Sequence, residues 1–351
     1  LQGASDLQKD PGLTFTLASH RSPFWCFDFD REVPVTKTAI HRPDPAVPVN
    51  FRQAGERVLE YLREHLPMGF WSVTRIENGR QTYLALGSNA YGLPPGGSHP
   101  WASSICVRMI EHGGPRVAPI VDDVPEYADA PVRQAVPINA YCGSPILDVD
   151  GSLFGVICGI SPEAEQGPKV EAQPLLDLLA GLLTDVLRGE RVAAQLENLE
   201  LERLALSDRD PVTGLAGLRT WDAAINREFE RFSRLADPTS VLFVSAKVDP
   251  RASTSQDDVA RRTASAMRQA LPDDAVAARL GGHFGVLLRN SEEMQSLQIA
   301  EQLVRHLKSV DLRAYVGVAA WRLAEGPFVA IDEAFNQMNS EIQADLTSAA
   351  R

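Results

Sequence analysis

The residues whose types and spacing could do chemistry fall into two groups. The first combines the run Arg279-Leu280-Gly281-Gly282-His283-Phe284 with the apolar run Leu242-Phe243-Val244-Ser245-Ala246-Lys247. Adjacent glycines suit a tight turn, where φ > 0 is needed, so His283 and Phe284 are expected just after a hairpin tip. An imidazole there suits zinc or a transition metal better than Mg²⁺. The Lys247 ammonium could meet a phosphate without any metal. The local alternative is a solvent-facing hairpin residue at 283 and glycines kept for topology alone. The second group is Trp101, Cys106, Asp122, Tyr141 and Cys158. A thiol in that set could serve redox chemistry or covalent attachment of a ligand. Neither Cys106 nor Cys158 has an adjacent His, and a cysteine in such surroundings is more often a buried packing residue. A haem would need an axial His, for which His99 and His112 are the candidates.

Elements must position both groups. Ala54, Val58, Leu59, Tyr61, Leu62 and Leu66 recur at helical spacing and predict a helix over residues 51–68. Asn78-Gly79 is a two-residue hairpin turn between Gly69–Ile76 and Gln81–Leu86, and Asp150-Gly151 is a second one between Ala140–Asp148 and Ser152–Ile160. Helical patterns cover Trp101–His112 and the stretch to about residue 135, and Val117–Asp122 reads as a strand. The order predicts an α+β domain, an antiparallel sheet with helices on one side. From Pro174 to Ser207 no further proline occurs. Leu182, Val186, Val192, Leu196, Leu199 and Leu206 give a 4-3 pattern there, which predicts a parallel dimer stalk, with a single amphipathic helix as the alternative. Beyond it the order is helix (Arg219–Leu235), then βαββαβ, then a helix from about Pro327. That is a ferredoxin-like palm.

Composition bounds the rest. The chain has 351 residues, 34 Lys+Arg and 46 Asp+Glu, a formal net charge of −12, so broad phosphate-driven nucleic-acid binding is not expected. Its length suits two domains and a connector. Cys26, Cys106, Cys142 and Cys158 show no CxxC spacing, which argues against a disulfide framework or structural zinc and for a reducing, cytoplasmic home. No apolar run reaches the ~18 residues of a membrane span. The start, Leu-Gln-Gly-Ala-Ser-Asp, lacks the basic-then-apolar order of a signal peptide, and its first residue is not Met, as in a piece cut from something longer. Residues 1–50 are proline-rich and read as an extended arm, with Phe24, Trp25, Phe27 and Phe29 packing on something.

Four stretches of the first half, Pro100-Trp101…Ser104-Ile-Cys106, Val117…Asp122, Tyr141-Cys-Gly143-Ser-Pro145-Ile146 and Asp150-Gly-Ser-Leu-Phe-Gly155-Val-Ile-Cys158, resemble a GAF sensor domain. The pattern YxGxPL…DGxxxGxxC is the most specific part, with Ile146 replacing Leu. The resemblance implies a small-molecule pocket over the sheet, to which Trp101, Cys106, Asp122, Tyr141 and Cys158 would contribute. The second half resembles a GGDEF domain, the diguanylate cyclase family. Asp210-Pro-Val-Thr-Gly-Leu215 is similar to DPLTGL, Arg279–Leu288 to the signature hairpin RxGGDEFxxLL, Tyr315-Val-Gly317-Val-Ala to SxGxA, and Asp332-Glu-Ala-Phe335 to DxALYxAK.

That family joins two GTP molecules into c-di-GMP with divalent metals held by carboxylates. The resemblance puts Ser245 at the first metal Asp, Lys247 where a second acid often lies, and Gly281-Gly282-His283-Phe284, one residue short, at the signature. Asp249 lies two residues past Lys247. Ala216-Gly217-Leu218 replaces PNR, and Met338-Asn339 replaces Ala-Lys. At the product-inhibition motif RxxD, the Arg position falls on Pro272 or Leu271 and the Asp position on Ala275 or Asp274. The expected division is an N-terminal arm at 1–50, a GAF sensor at 51–185, a helical linker at 186–208 and a degenerate GGDEF domain at 209–351. The expected function is a dimeric cytoplasmic signalling protein with an unknown GAF ligand, a possible protein partner, no metal and no catalytic residues beyond the vestigial signature. The alternatives are an active cyclase using Mg²⁺ with unusual ligands, and a receptor for GTP or a cyclic dinucleotide through Gly281, Gly282 and Lys247.

Overall fold

The computed structural model describes residues 50–164, 168–248 and 254–349, all within one compact unit. Residues 1–49 of the expected arm, and Asp249, lie outside the described residues. Helix α1 (Phe51–His65) starts at Asn50, whose side chain accepts from Gln53 N at 2.9 Å while the Gln53 side chain returns to Asn50 N at 3.3 Å. This reciprocal cap satisfies two orphan donors of the first turn. The sheet that follows comprises β1 (Phe70–Glu77), β2 (Arg80–Asn89), β3 (Ser98–Pro100), β4 (Val117–Ala118), β5 (Ala140–Leu147) and β6 (Leu153–Ser161), in the order β3-β2-β1-β6-β5-β4. All its pairings are antiparallel. Asn78 and Gly79 turn β1 into β2 with φ of 55° and 68°, as the Asn-Gly dipeptide predicts.

Three expectations need correction here. Helices cover both faces of this sheet, because β1 is buried on both sides. Trp71 and Val73 pack towards α1 and the long helix α4 (Gln173–Ser207). Phe70 faces α2 (Ile105–Glu111), Tyr127 and Tyr141. The Asp150-Gly151 turn is a longer loop over residues 148–152, closed by Asp148 N donating to Ser152 O at 2.8 Å. The predicted strand at 117–122 pairs only at Val117 and Ala118, after which Val121–Asp123 and Pro131–Gln134 form 3₁₀ turns around the short helix α3 (Pro125–Ala128). Prolines at 125, 131 and 137 remove the donors a longer element would need.

Helix α4 has 35 residues and spans about 50 Å. Leu176, Ala180, Leu183 and Leu187 bury against the first sheet. Val186 also turns inward, unlike the other five expected seam residues. Leu182, Val192, Leu196, Leu199 and Leu206 are exposed, as is Leu178. The second half contains α5 (Leu218–Leu235), β7 (Thr239–Lys247), α6 (Gln256–Ala270), β8 (Val276–Leu280), β9 (His283–Arg289), α7 (Glu293–Ser309), β10 (Arg313–Ala320) and α8 (Pro327–Ala349). Its sheet runs β10-β7-β9-β8, all antiparallel, with the βαββαβ order read from the sequence. One face packs Leu242, Val244, Val286 and Leu288 against α6 and α7. On the other, Phe243 meets Phe335 of α8 edge-on at 5.4 Å, and Gly285 makes room for the Trp221 ring. Among the described residues, no helix is long and apolar enough to cross a membrane.

Candidate functional site

The Gly281-Gly282-His283-Phe284 hairpin borders a cleft. Val244 of β7 pairs with Phe284 of β9, so the next residues outward, Ser245 and His283, stand at the same sheet end. They line a cleft of about 510 Å³ with Lys247, Arg279, Gly281, Gly282, Phe284 and the start of α6. The hairpin closes at Leu280↔His283, and only Gly281 of the two glycines needs a positive φ, at 67°. His283 is not the solvent-facing residue expected of a hairpin tip. Its Nδ1 is buried without a hydrogen-bond partner, and its ring lies edge-on to Phe335 at 5.9 Å. Burial lowers its pKa, and the charge of Lys247 lowers it further. Lys247 Nζ sits 5.5 Å from the centroid of Tyr315, whose hydroxyl donates to Asp345 at 2.5 Å.

The donor set does not fit Mg²⁺. The described lining side chains offer two hydroxyls, one carboxamide, an ammonium, a guanidinium and an imidazole but no carboxylate, while a hard dication is held chiefly by carboxylate oxygens. Among the described residues no group of three or more His, Cys, Asp or Glu is placed to hold a metal. Arg279 is held by acids outside the lining, Asp257 at 3.8 Å and Asp210 at 3.9 Å. Asp210 has its own local work. Its carboxylate accepts from Thr213 N at 2.8 Å and Thr213 Oγ1 at 2.6 Å, which folds the DPVTGL run onto itself. That run can therefore persist for structural reasons.

A second cleft of about 510 Å³ lies beside the Leu271–Ala275 loop. Arg209, Arg268 and Arg289, which sequence reasoning missed, line this cleft. All three are already engaged. Arg209 donates to Gly214 O at 3.2 Å, Arg268 to Thr213 O, and Arg289 to Asn198 at 3.1 Å. Arg268 was the one findable member, one helical turn before Pro272 on an amphipathic helix.

In the first half, Trp101, Cys106, Tyr141 and Cys158 come together in one buried cluster between the sheet and α2. Gln81 Nε2 reaches Cys106 Sγ at 3.6 Å and Thr74 Oγ1 at 3.2 Å, and Ser72 Oγ lies 3.2 Å from Cys158 Sγ. A hydrogen bond from Cys158 holds the Cys106 thiol below its usual pKa despite burial, and the same bond with burial pushes Cys158 up. Tyr141 OH donates to Met109 Sδ at 3.4 Å, and burial raises its pKa. Asp122 does not join them. It is exposed on a 3₁₀ turn and ion-paired with Arg133. Gln81 and Ser72 were missed because their polar side chains carry no signal until the strands are registered. His99 lies tilted beside the Tyr83 ring and hydrogen-bonds its hydroxyl at 3.3 Å, whereas His112 is exposed and bound to Arg108.

Residues 50–210 match the GAF domain family model. The chain is 25% identical over 242 residues to the diguanylate cyclase DgcP of Escherichia coli K12, covering 65% of this chain and 70% of that protein. Among solved structures, it is similar to the diguanylate cyclase SiaD of Pseudomonas aeruginosa, solved with its activator SiaC, at 21% identity and a TM-score of 0.38. That match covers 44% of this chain and 66% of the other, just under two thirds of it. It is also similar to the GGDEF domain of DgcB from Caulobacter crescentus in complex with c-di-GMP, at 15% identity and a TM-score of 0.35, covering 39% of this chain and 90% of that one. With the family match on the first half and the cyclase relative spanning much of the chain, this protein is a GAF domain followed by a GGDEF-like domain.

Proposed function

We propose that this chain is a cytoplasmic c-di-GMP signalling protein in which a GAF sensor acts on a GGDEF-like half that has lost cyclase chemistry and serves as a regulatory or partner-binding module. The division we propose is an arm at 1–50, the sensor at 51–185, a connecting helix at 186–208 and the degenerate domain at 209–351. One observation carries the loss of chemistry. Ser245, Lys247 and His283 line one cleft, and a resemblance to the cyclases would give those positions to metal-bound carboxylates for linking two GTP molecules. An ammonium beside the triphosphate would repel the dication that step needs. The relative DgcP, a cyclase by name, supports the pathway and not the activity.

A homodimer along α4 belongs to the same reading. Leu178, Leu182, Val192, Leu196, Leu199 and Leu206 are each at least half exposed and follow 4-3 steps, interrupted at Asp185, Gly189 and Arg203. Such a stripe is costly to leave in water and suits a parallel coiled coil. The sensor's ligand would be a small molecule displacing side chains around Cys106, Tyr141 and Cys158.

The test is incubation of the purified chain with GTP and Mg²⁺ or Mn²⁺, followed by chromatography for c-di-GMP. No product is expected, and product would overturn the reading. A second reading has its own support. Lys247 and Arg279 flank the Gly281-Gly282 turn, an arrangement able to hold a phosphate of GTP or a cyclic dinucleotide without metal. Calorimetric titration with GTP in chelator decides it, since absence of both heat and thermal shift removes it.

A further inference from the structure

A buried carboxylate, Asp237, lies within the contact between the two halves. Asp237 sits in the turn between α5 and β7, with its side chain 2% exposed. Arg191, midway along α4, grips it with two bonds of 2.5 and 3.0 Å. The same guanidinium holds Asp148, in the β5–β6 loop of the GAF half, at 2.9 and 3.3 Å. Arg75 of GAF strand β1 approaches Asp237 at 3.6 Å, and Arg231 of α5 at 3.9 Å. Arg75 is held in place by Phe154, over whose ring it lies at 4.4 Å and to whose carbonyl it donates at 3.2 Å. One acid of the second half thus faces cations from the sensor sheet, the connecting helix and its own helix.

The network continues into the strands that carry the cleft. Arg231 pairs with Glu228 at 2.7 Å, and Thr239 at the start of β7 donates to the same oxygen at 3.0 Å. Arg289 at the end of β9 stands 3.5 Å from the other Glu228 oxygen and donates to Asn198 of α4. Thr239 and Arg289 are registered partners. The charges therefore fix one end of β7 and β9, and the opposite ends present Ser245, Lys247 and His283. Around the charges the contact is apolar and modest. Leu235 is fully buried in the GAF core cluster and Leu323 packs against it.

Desolvated ion pairs add little net stability, yet losing one partner leaves the rest uncompensated, so such a contact favours two arrangements, fully made or fully hydrated. Arg75 Nε, Arg231 Nε and Arg289 Nε are buried without a hydrogen-bond partner, the last two only in looser ion-pair range of an acid, so the made state holds cations with unmet hydrogen bonds. We propose that Asp237, gripped by Arg191, is an inter-domain latch: closed, it docks the β5–β6 loop of the GAF domain on the GGDEF-like half. Open, it lets the halves part about α4. A ligand that favours one state in either half then changes affinity in the other by the same factor.

The test is amide hydrogen exchange and small-angle scattering on the full chain. Asp237→Asn is expected to speed exchange in residues 148–152 by about tenfold or more and to enlarge the radius of gyration. Wild-type exchange and radius in folded Asp237→Asn would overturn the proposal. Should that variant not fold, Asp148→Asn decides. Its side chain is 16% exposed, and its neutralisation weakens two bonds that hold Arg191 in place while leaving Asp237 itself unchanged. A latch requires faster exchange across the contact, at residues 237–240, as well as in its own loop. Change confined to residues 148–152 would mean a local loop contact and no latch. Asp150→Asn is the control, since that carboxylate is exposed and bonds only Ser152. It is expected to leave residues 237–240 at wild-type protection.

Discussion

His283 and Lys247 share one cleft wall, and the ammonium of Lys247 adds to burial in keeping the imidazole unprotonated. Replacing the ammonium with a neutral chain of similar length should therefore relieve part of the shift. In Lys247→Met the His283 titration is expected to move up towards the ordinary 6.5 without reaching it, because burial remains. An NMR titration of the ring resonances reads this directly, and an unmoved midpoint would refute the charge contribution.

The same shift sets a pH dependence. His99 is also lowered, first by burial and then by Arg80. A histidine whose folded pKa is depressed binds its proton more readily when unfolded. Stability is thus fully present above 6.5, the unfolded value, and is lost as pH falls through the folded values. Denaturant midpoints measured downwards from neutral pH should fall below 6.5, and His283→Gln should flatten part of that slope.

Metal should be irrelevant to any nucleotide held in the cleft. If GTP binds, chelator should leave its affinity unchanged, while Lys247→Ala should weaken it about tenfold, the loss of one charge-assisted contact. Binding abolished by chelator would mean that a cation is held by groups beyond the described lining.

Leu196 and Leu199 test the seam. Both are 60% exposed, so Leu196→Asp with Leu199→Asp costs the monomer little. Sedimentation should show a dimer for the wild type and a monomer for the pair of changes. An unchanged mass would exclude α4 as the interface.

Gly317 should resist substitution. A methyl there would collide with the Ala334 carbonyl oxygen of α8, backbone that cannot move without displacing the helix. Gly317→Ala is expected to cost about 3 kcal/mol by chemical denaturation. The SxGxA-like run is therefore kept by packing of α8 on β10, whatever the fate of the chemistry.

What the sequence determined alone is what depends on neighbours along the chain. The Asn78-Gly79 turn, the Gly281-Gly282 hairpin and the βαββαβ order follow from φ preferences and hydrophobic period, which act over a few residues. Residue types at Ser245, Lys247 and His283 already spoke against a magnesium site, since donor chemistry is a property of the side chain. Tertiary structure decided what depends on residues far apart. Asp122 and Tyr141 belong to one motif pattern, but the turn carrying Asp122 faces water and pairs it with Arg133. Val186 falls in the 4-3 series, yet the sheet beneath α4 draws it inward. Arg191 and Asp237 are 46 residues apart, and each reads as an ordinary surface charge until two halves exclude water between them. Desolvation is what makes that pair specific, and no local pattern records it.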